Sequence, residues 1–318
     1  VSSIMEAVER YSAEIQGTEN TILEKYNPEN CLNPESLILP RNSYNDNALE
    51  WIKGYSIKTS REIYIPANVV FHPYTTEDVH HICLSNTNGL ASGNTIEEAI
   101  FHGMMEVVER DAWSLFEAFK ENKPEINCKN ATNEYVCELI EKFRNANVYI
   151  KLLDLTSDND IPTIGAVSED LTLKDPALLT LGIGTHLDAN IAAIRAITEV
   201  AQSRATQIHG TREDTTRANL LRDTGYDRMK RINRHWFRKS DETINIEDIP
   251  DKSKNSFKED IELTMKLLEK TGIKDAYYVD LTRDINIPVV RVIIPGMELF
   301  SVDSSRVGNR LKPKDLII

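Results

Sequence analysis

The pattern D-L-T-x-D-x-x-I-P occurs twice in this chain, and it limits the possible folds more than any other feature. Asp154, Leu155, Thr156, Asp158, Ile161 and Pro162 align without a gap on Asp280, Leu281, Thr282, Asp284, Ile287 and Pro288. A helical window precedes each copy (134–145 and 259–271), a β-branched and aromatic run leads into it ("VYIKLLDLT" and "AYYVDLTRD"), and a second run leaves it ("IPTIGAVSED" and "IPVVRVIIPG"). Such runs, separated by turn-forming residues, are strands. Each copy is therefore a helix–strand–turn–strand unit, and units of this kind build sheets covered by helices. The expectation is a mixed α/β (α+β) fold, with one domain over 1–318 and repeated subdomains at about 134–170 and 259–296. Asp158 and Asp284 read as caps of the two turns.

A second repetition lies in the helices. The pattern M-E-x-V-E-R appears in "IMEAVERYSAE" and again in "GMMEVVERDAW". The first copy sits in a predicted helix over 2–16, with Ile4, Met5, Val8 and Ile15 at helical spacing and Gly17 as its stop. The second sits in a long helix over about 95–120, which starts at Asn94 or Thr95 and ends before Pro124. A third helix, in "LDANIAAIRAITEVAQSRAT", repeats the frame with Glu199, Gln202 and Arg204. Elsewhere "EIYIPANVVF" (62–71) reads as a strand, "NTNGLASGNT" (86–95) as a tight loop, and 210–258 as connecting helices and loops.

Residues three apart share one helix face, so Glu6/Glu9 and Glu106/Glu109 each present two carboxylates in one direction. A single E-x-x-E on a solvated face costs little and says little. Here the pairs are flanked by apolar residues and followed by Arg10 and Arg110. On the long helix Asn94, Glu98, Glu106 and Glu109 also fall within a sector of about 120°, along a stripe of about 20 Å. That is too long for one ion and suits a metal-bound phosphate chain. Mg²⁺ takes carboxylate oxygens together with substrate phosphates. Arg10, Arg110 and Arg204 supply forked donors to phosphate, and Arg195 projects from the third helix with the same chemistry. No Walker or protein-kinase signature is present. Trp113, Phe116 and Phe119 read as core, and Gly182 and Gly184 as a turn.

Composition narrows the partners. Against 37 Lys plus Arg stand 50 Asp plus Glu, a net charge of −13 over 318 residues, which argues against nucleic acid or an anionic membrane as the main partner. Four cysteines without a C-x-x-C pair fit reduced thiols in a cytoplasmic protein. No stretch approaches the ~20 apolar residues of a membrane span. The sequence opens on Val1 with the helical pattern already running at Ser3, so the expectation is that an N-terminal portion of the natural protein precedes it.

In this order, the segments S-x-x-E-x-x-E-R (Ser3 to Arg10), "NGLASGNTIEEAIFHGMMEVVERDA" (88–112), "LDANIAAIRAITEVAQSRAT" (187–206), "GTREDT" (210–215) and "IPVVRVIIPGME" (287–298) resemble the YcaO family over essentially the whole chain. The family's members are ATP-dependent enzymes that activate peptide-backbone amides. The resemblance implies that Glu6, Glu9, Glu98, Glu106 and Glu109 are ligands of two Mg²⁺ ions. Asn94, Arg110 and Arg204 would lie near the triphosphate, and Ser3, Glu199 and Gln202 would belong to the same nucleotide cleft. The lysine and serine that the family draws from before its first E-x-x-E are not in this sequence.

The implied chemistry is phosphorylation of an amide oxygen by ATP. Attack by external sulfide then gives a thioamide, and attack by a neighbouring Cys, Ser or Thr gives an azoline. Within the family the sequence is similar to the archaeal branch called methanogenesis marker protein 1. This implies a thioglycine in the methyl-coenzyme M reductase alpha subunit as product, a sulfide source, a TfuA-like partner and a homodimer. Two other readings stand beside it. A di-iron carboxylate bundle would need E-x-x-H on two helices, and the glutamate pairs lack it. A non-catalytic acidic scaffold would need the glutamates to face solvent.

Overall fold

The computed structural model describes residues 2–129, 131–209 and 215–312. They fall into two compact units, Val1–Ala118 with Lys254–Ile318, and Phe119–Ser253. The first unit opens with α1 (Ser2–Ala13), continues through β1 (Ile22–Glu24), β2 (Leu49–Ser56), β3 (Glu62–Pro66) and β4 (Leu90–Ser92), and enters α2 (Ile96–Phe119). The second unit holds β5 (Glu125–Asn127), α3 (Glu134–Asn145), β6 (Val148–Asp154), β7 (Thr163–Asp170), β8 (Thr180–Thr185) and α4 (Ala189–His209). It continues with α5 (Thr215–Thr224), α6 (Tyr226–Ile232), α7 (Arg234–Phe237) and β9 (Thr243–Asn245). The first unit is completed by α8 (Phe257–Lys270), β10 (Tyr277–Asp280) and β11 (Val289–Ile293).

Each unit carries one sheet and one copy of the sequence repeat. The first sheet runs β1-β2-β10-β11-β4 with β3 also on β2, all antiparallel. The second runs β8-β7-β6-β5-β9, antiparallel except for the parallel β5–β9 pair. The repeated turn is reproduced bond for bond. Asp154 accepts from Thr156 N–H and Asp280 from Thr282 N–H, both at 2.9 Å. Leu155 N–H donates to Thr163 O and Leu281 N–H to Val289 O, both at 2.8 Å. Asp154 and Asp280 are thus capping carboxylates of the two turns.

The likeness extends beyond the sequence repeat. Gly93 N–H donates to Pro288 O, and His186 N–H to Pro162 O, each at 3.1 Å. Ala99 N–H closes on Thr95 O and Ala192 N–H on Asp188 O, again at 3.1 Å. Thus β4 and α2 complete in the first unit what β8 and α4 complete in the second. Carried along the helices, this register sets Glu106 against Glu199 and Glu109 against Gln202, whereas Arg204 falls opposite Asp111 rather than Arg110.

Local chemistry explains most element ends. Asn133 caps α3 by accepting from Tyr135 and Val136 N–H, and Ser256 caps α8 by accepting from Glu259 N–H. The predicted strand over 62–71 stops at Pro66, which has no N–H for a ladder, and the chain turns through Ala67–Val69 as a 3₁₀ helix. The core of the first unit gathers Leu49, Trp51, Ile65, Phe71, Val279 and Val289. That of the second packs Ile164 and Ala166 of β7 against Ala192, Ala193, Ala196 and Val200 of α4. Phe116 is buried, but Phe119 is 45% exposed and is not core. Residues 210–214 of the GTREDT segment lie outside the described residues. No helix among the described residues is long and apolar enough to cross a membrane.

Candidate functional site

The start of α2 sets the floor of the site. Thr95 Oγ1 accepts from Glu98 N–H at 3.2 Å, and Glu98 reaches back to accept from Asn94 N–H and Nδ2, both at 2.9 Å. These bonds satisfy donors that a helix start would otherwise leave open. They hold Asn94 and Glu98 together where backbone N–H groups favour an anion. Two turns further on, Glu106 stands on the same face, 3.8 Å from Arg110, whose guanidinium lies 5.3 Å from the Trp113 ring centre.

Helix α1 packs against β4 and brings the other carboxylates. Glu9 Oε1 accepts from Ser92 N–H at 2.9 Å and from Ser92 Oγ at 2.6 Å, which ties α1 to the strand that feeds α2. Burial pushes the Glu9 carboxyl above its ordinary value, the Ser92 hydrogen bonds oppose this, and the charge of Glu6 adds to the rise. A buried carboxylate beside another carboxylate is one that a cation would stabilise. Glu6 pairs with Arg10 at 2.9 Å.

These residues line one cavity of about 530 Å³. Of the sequence candidates it takes in Glu6, Glu9, Arg10, Asn94, Glu98, Glu106 and Arg110. Ser3 is exposed and does not line it, and Glu109, half-buried on α2, does not line it either. Thr87, Ser92 and His102 line it too, although sequence reasoning did not place them there. His102 could have been found: it lies one helical turn from both Glu98 and Glu106. Ser92 carried no such signal, because its partner Glu9 is far away in sequence.

The remaining candidates sit in the second unit. Glu199 accepts from Ile183 N–H at 2.7 Å, which fastens α4 to β8. Arg204 pairs with Asp170 at 3.0 Å, and Arg195 and Gln202 are exposed.

The donor set of the cavity fits Mg²⁺ and a phosphate chain. Apart from the His102 imidazole its ligating groups are oxygens, four of them carboxylates, and two guanidinium groups share the wall. Among the described residues no three His, Cys, Asp or Glu side chains converge closely enough to hold a metal alone. Mg²⁺ is commonly held by one or two carboxylates with phosphates and water completing its shell.

Comparison with known proteins agrees. A protein of Methanothermobacter thermautotrophicus is 54% identical over 314 residues, 98% of this chain and 82% of that protein. A protein encoded in the tfuA 3' region of Rhizobium leguminosarum bv. trifolii is 30% identical over 275 residues, 79% of this chain and 61% of that protein. The structure of YcaO from Methanopyrus kandleri, bound with AMPPCP and Mg²⁺, superposes with a TM-score of 0.79 at 30% identity, covering 98% of this chain and 79% of that one. The family model described as YcaO cyclodehydratase, ATP- and Mg²⁺-binding, matches residues 1–298, and the chain belongs to that family.

Proposed function

We propose that this protein uses ATP and Mg²⁺ to phosphorylate the oxygen of a peptide-backbone amide, and that sulfide then displaces the phosphate to leave a thioamide. The observation that carries the reading is the single cavity in which Glu6, Glu9, Glu98 and Glu106 face Asn94, Arg10 and Arg110. Glu6, Glu9, Glu98 and Glu106 would hold Mg²⁺, with Glu109 assigned to the same task by sequence. The bound metal supplies neutralisation of the phosphate charge. Arg10 and Arg110 donate to phosphate oxygens and Asn94 orients the chain. Phosphoryl transfer needs this positioning and charge compensation more than a protein nucleophile.

The amide oxygen attacks the γ-phosphorus, the bond to the bridging oxygen of ADP breaks, and loss of the amide N–H proton leaves an O-phosphorylated imidate. Hydrosulfide adds to its carbon, its proton passes to the nitrogen, and phosphate leaves with the original oxygen. Ser3, Arg195, Glu199, Gln202 and Arg204 belong to nucleotide binding in the same proposal, which treats the whole chain as one functional domain. The equivalence of Glu199 with Glu106 supports that assignment.

The methanogen source of the 54% identical relative supports a glycine of methyl-coenzyme M reductase as the substrate. The genomic position of the Rhizobium relative supports a TfuA-like partner. A homodimer in the cytoplasm completes the proposal. The family description favours a second reading, cyclodehydration of Cys, Ser or Thr peptides to azolines. Mass spectrometry of a candidate peptide separates the two: thioamidation adds about 16 Da, cyclodehydration removes about 18 Da, and a scaffold changes nothing. Replacing Glu106 with Ala is expected to lower peptide-dependent ATP turnover by about 100-fold or more. Full turnover in that variant would defeat the assignment.

A further inference from the structure

Two buried arginines in the first unit do not line the oxygen-rich cavity. Arg291 lies in β11, where every residue is buried, and is itself 4% exposed. Arg306 is also 4% exposed. Neither forms an ion pair with a described residue. Arg291 Nη2 donates to Asn86 Oδ1 at 3.2 Å, while its Nε and Nη1 are buried and meet no acceptor among the described residues. Arg306 Nε donates to the Ile38 carbonyl at 2.6 Å, which neutralises no charge.

Both arginines line one cavity of about 50 Å³, together with Asn68, Cys83 and Asn88. Asn68 Oδ1 accepts from Ile82 and Cys83 N–H at 2.8 and 3.1 Å, which fixes the amide so that Nδ2 is the group left over. That Nδ2 is likewise buried without an acceptor. The Asn88 amide, whose Oδ1 is buried without a donor, can turn its NH₂ inward. Burial lowers the Arg291 pKa to about 10, with the charge of Glu106 opposing the fall, so the group remains a cation at neutral pH. Burial raises the Cys83 thiol, despite the two arginines, so it stays protonated and supplies no counter-charge.

A buried guanidinium whose Nε and Nη1 find no acceptor is costly, and the pairing it lacks is an acceptor carrying negative charge. A water needs about 10–15 Å³ of such volume, so the cavity has room for a body of a few heavy atoms. We propose that this cavity is a small-anion site, in which Arg291, Arg306 and Asn68 hold a monovalent anion of the halide or hydrosulfide class. Chloride from solvent and hydrosulfide from the reaction share this chemistry, and the hydrosulfide source rests on the thioamidation reading.

Crystals soaked in bromide test the site without reference to activity. An anomalous peak within about 3.5 Å of the Arg291 guanidinium is expected, whereas solvent density with no anomalous signal overturns the proposal. In solution at constant ionic strength, exchanging gluconate for bromide should raise the melting temperature of the wild type. Arg291→Met should abolish that shift. Asn68→Asp should abolish it as well while remaining folded, because it keeps the Oδ1 acceptor and places its own carboxylate in the cavity. An equal bromide shift in all three proteins overturns the proposal. Once the bromide site is established, thioamidation assays in chloride and gluconate identify the source. A KM for sulfide that rises with chloride at unchanged kcat marks hydrosulfide as the occupant, and an unchanged KM marks chloride.

Discussion

Glu9 and Glu169 show how burial alone does not decide the state of a carboxylate. Glu9 is raised by burial that two Ser92 hydrogen bonds fail to offset. Glu169 is also buried, yet Lys230 donates to both its oxygens at 2.7 and 2.8 Å and Tyr226 adds a hydroxyl, and these outweigh desolvation and lower its pKa. Because the folded value lies below the ordinary 4.5, Glu169 adds stability that is complete above that value and lost as pH falls through the folded one. Glu169→Gln should therefore cost about 1–3 kcal/mol in urea melts at pH 7. The gap to the wild type should close as the pH drops below the carboxylate range, and a gap that widened in acid would refute the assignment. At this scale the sequence was legible where one helix carried the pattern. Glu98 and Glu106 share a face at helical spacing, and both line the cavity. Ser92, Arg291 and the Glu169 cluster were not legible, since their partners come from segments distant along the chain.

At the scale of elements, helices read well because capping residues and periodicity mark their limits. The 134–145 window is α3 itself, and the predicted helix over about 95–120 is Ile96–Phe119. Strands read less well. β2 buries Leu49 and Trp51 on one face but Gly54 and Ser56 on the other, so no single apolar alternation marks it in sequence. Gly54 is there because a Cβ would meet Ile65 Cδ1 at 2.6 Å and Tyr278 O at 2.8 Å. The same principle sets the helix-to-sheet distance in both units. A Cβ on Gly103 of α2 would meet Val292 Cγ2 at 2.6 Å and Gly89 O at 3.0 Å, so its one contact under 3 Å is with a side chain. One on Gly182 of β8 would meet Ala196 O at 2.4 Å and Val200 N at 2.6 Å, backbone atoms of α4 that cannot move without the helix. Gly103→Ala is accordingly expected to cost about 1–3 kcal/mol by overpacking. Gly182→Ala should cost more, with equilibrium denaturation as the measure. The reverse order would mean that α4 is not held against β8 as described.

At the scale of the whole molecule, the two units repeat one local arrangement and differ in charge. The register that pairs Glu106 with Glu199 also pairs Glu98 with Ile191 and Glu109 with Gln202, so α2 has carboxylates where α4 has an apolar residue and an amide. Only the first unit combines this helix with α1 and its Glu6 and Glu9, and the oxygen-rich cavity lies there. Ligand binding that gathers these segments should stabilise the protein in proportion to occupancy, about 2.7 kcal/mol at a hundred times the dissociation constant. ATP with Mg²⁺ should therefore raise the melting temperature, and ATP with EDTA should not, because the carboxylates repel phosphate when no cation stands between them. Hydrogen exchange on the same samples should slow in α1 and at the Asn94–Glu98 start of α2, while β1 and β3 exchange as before. Protection at β1 and β3 without change in α1 would place the nucleotide elsewhere and remove the physical basis for reading the glutamate pairs as its metal-binding frame.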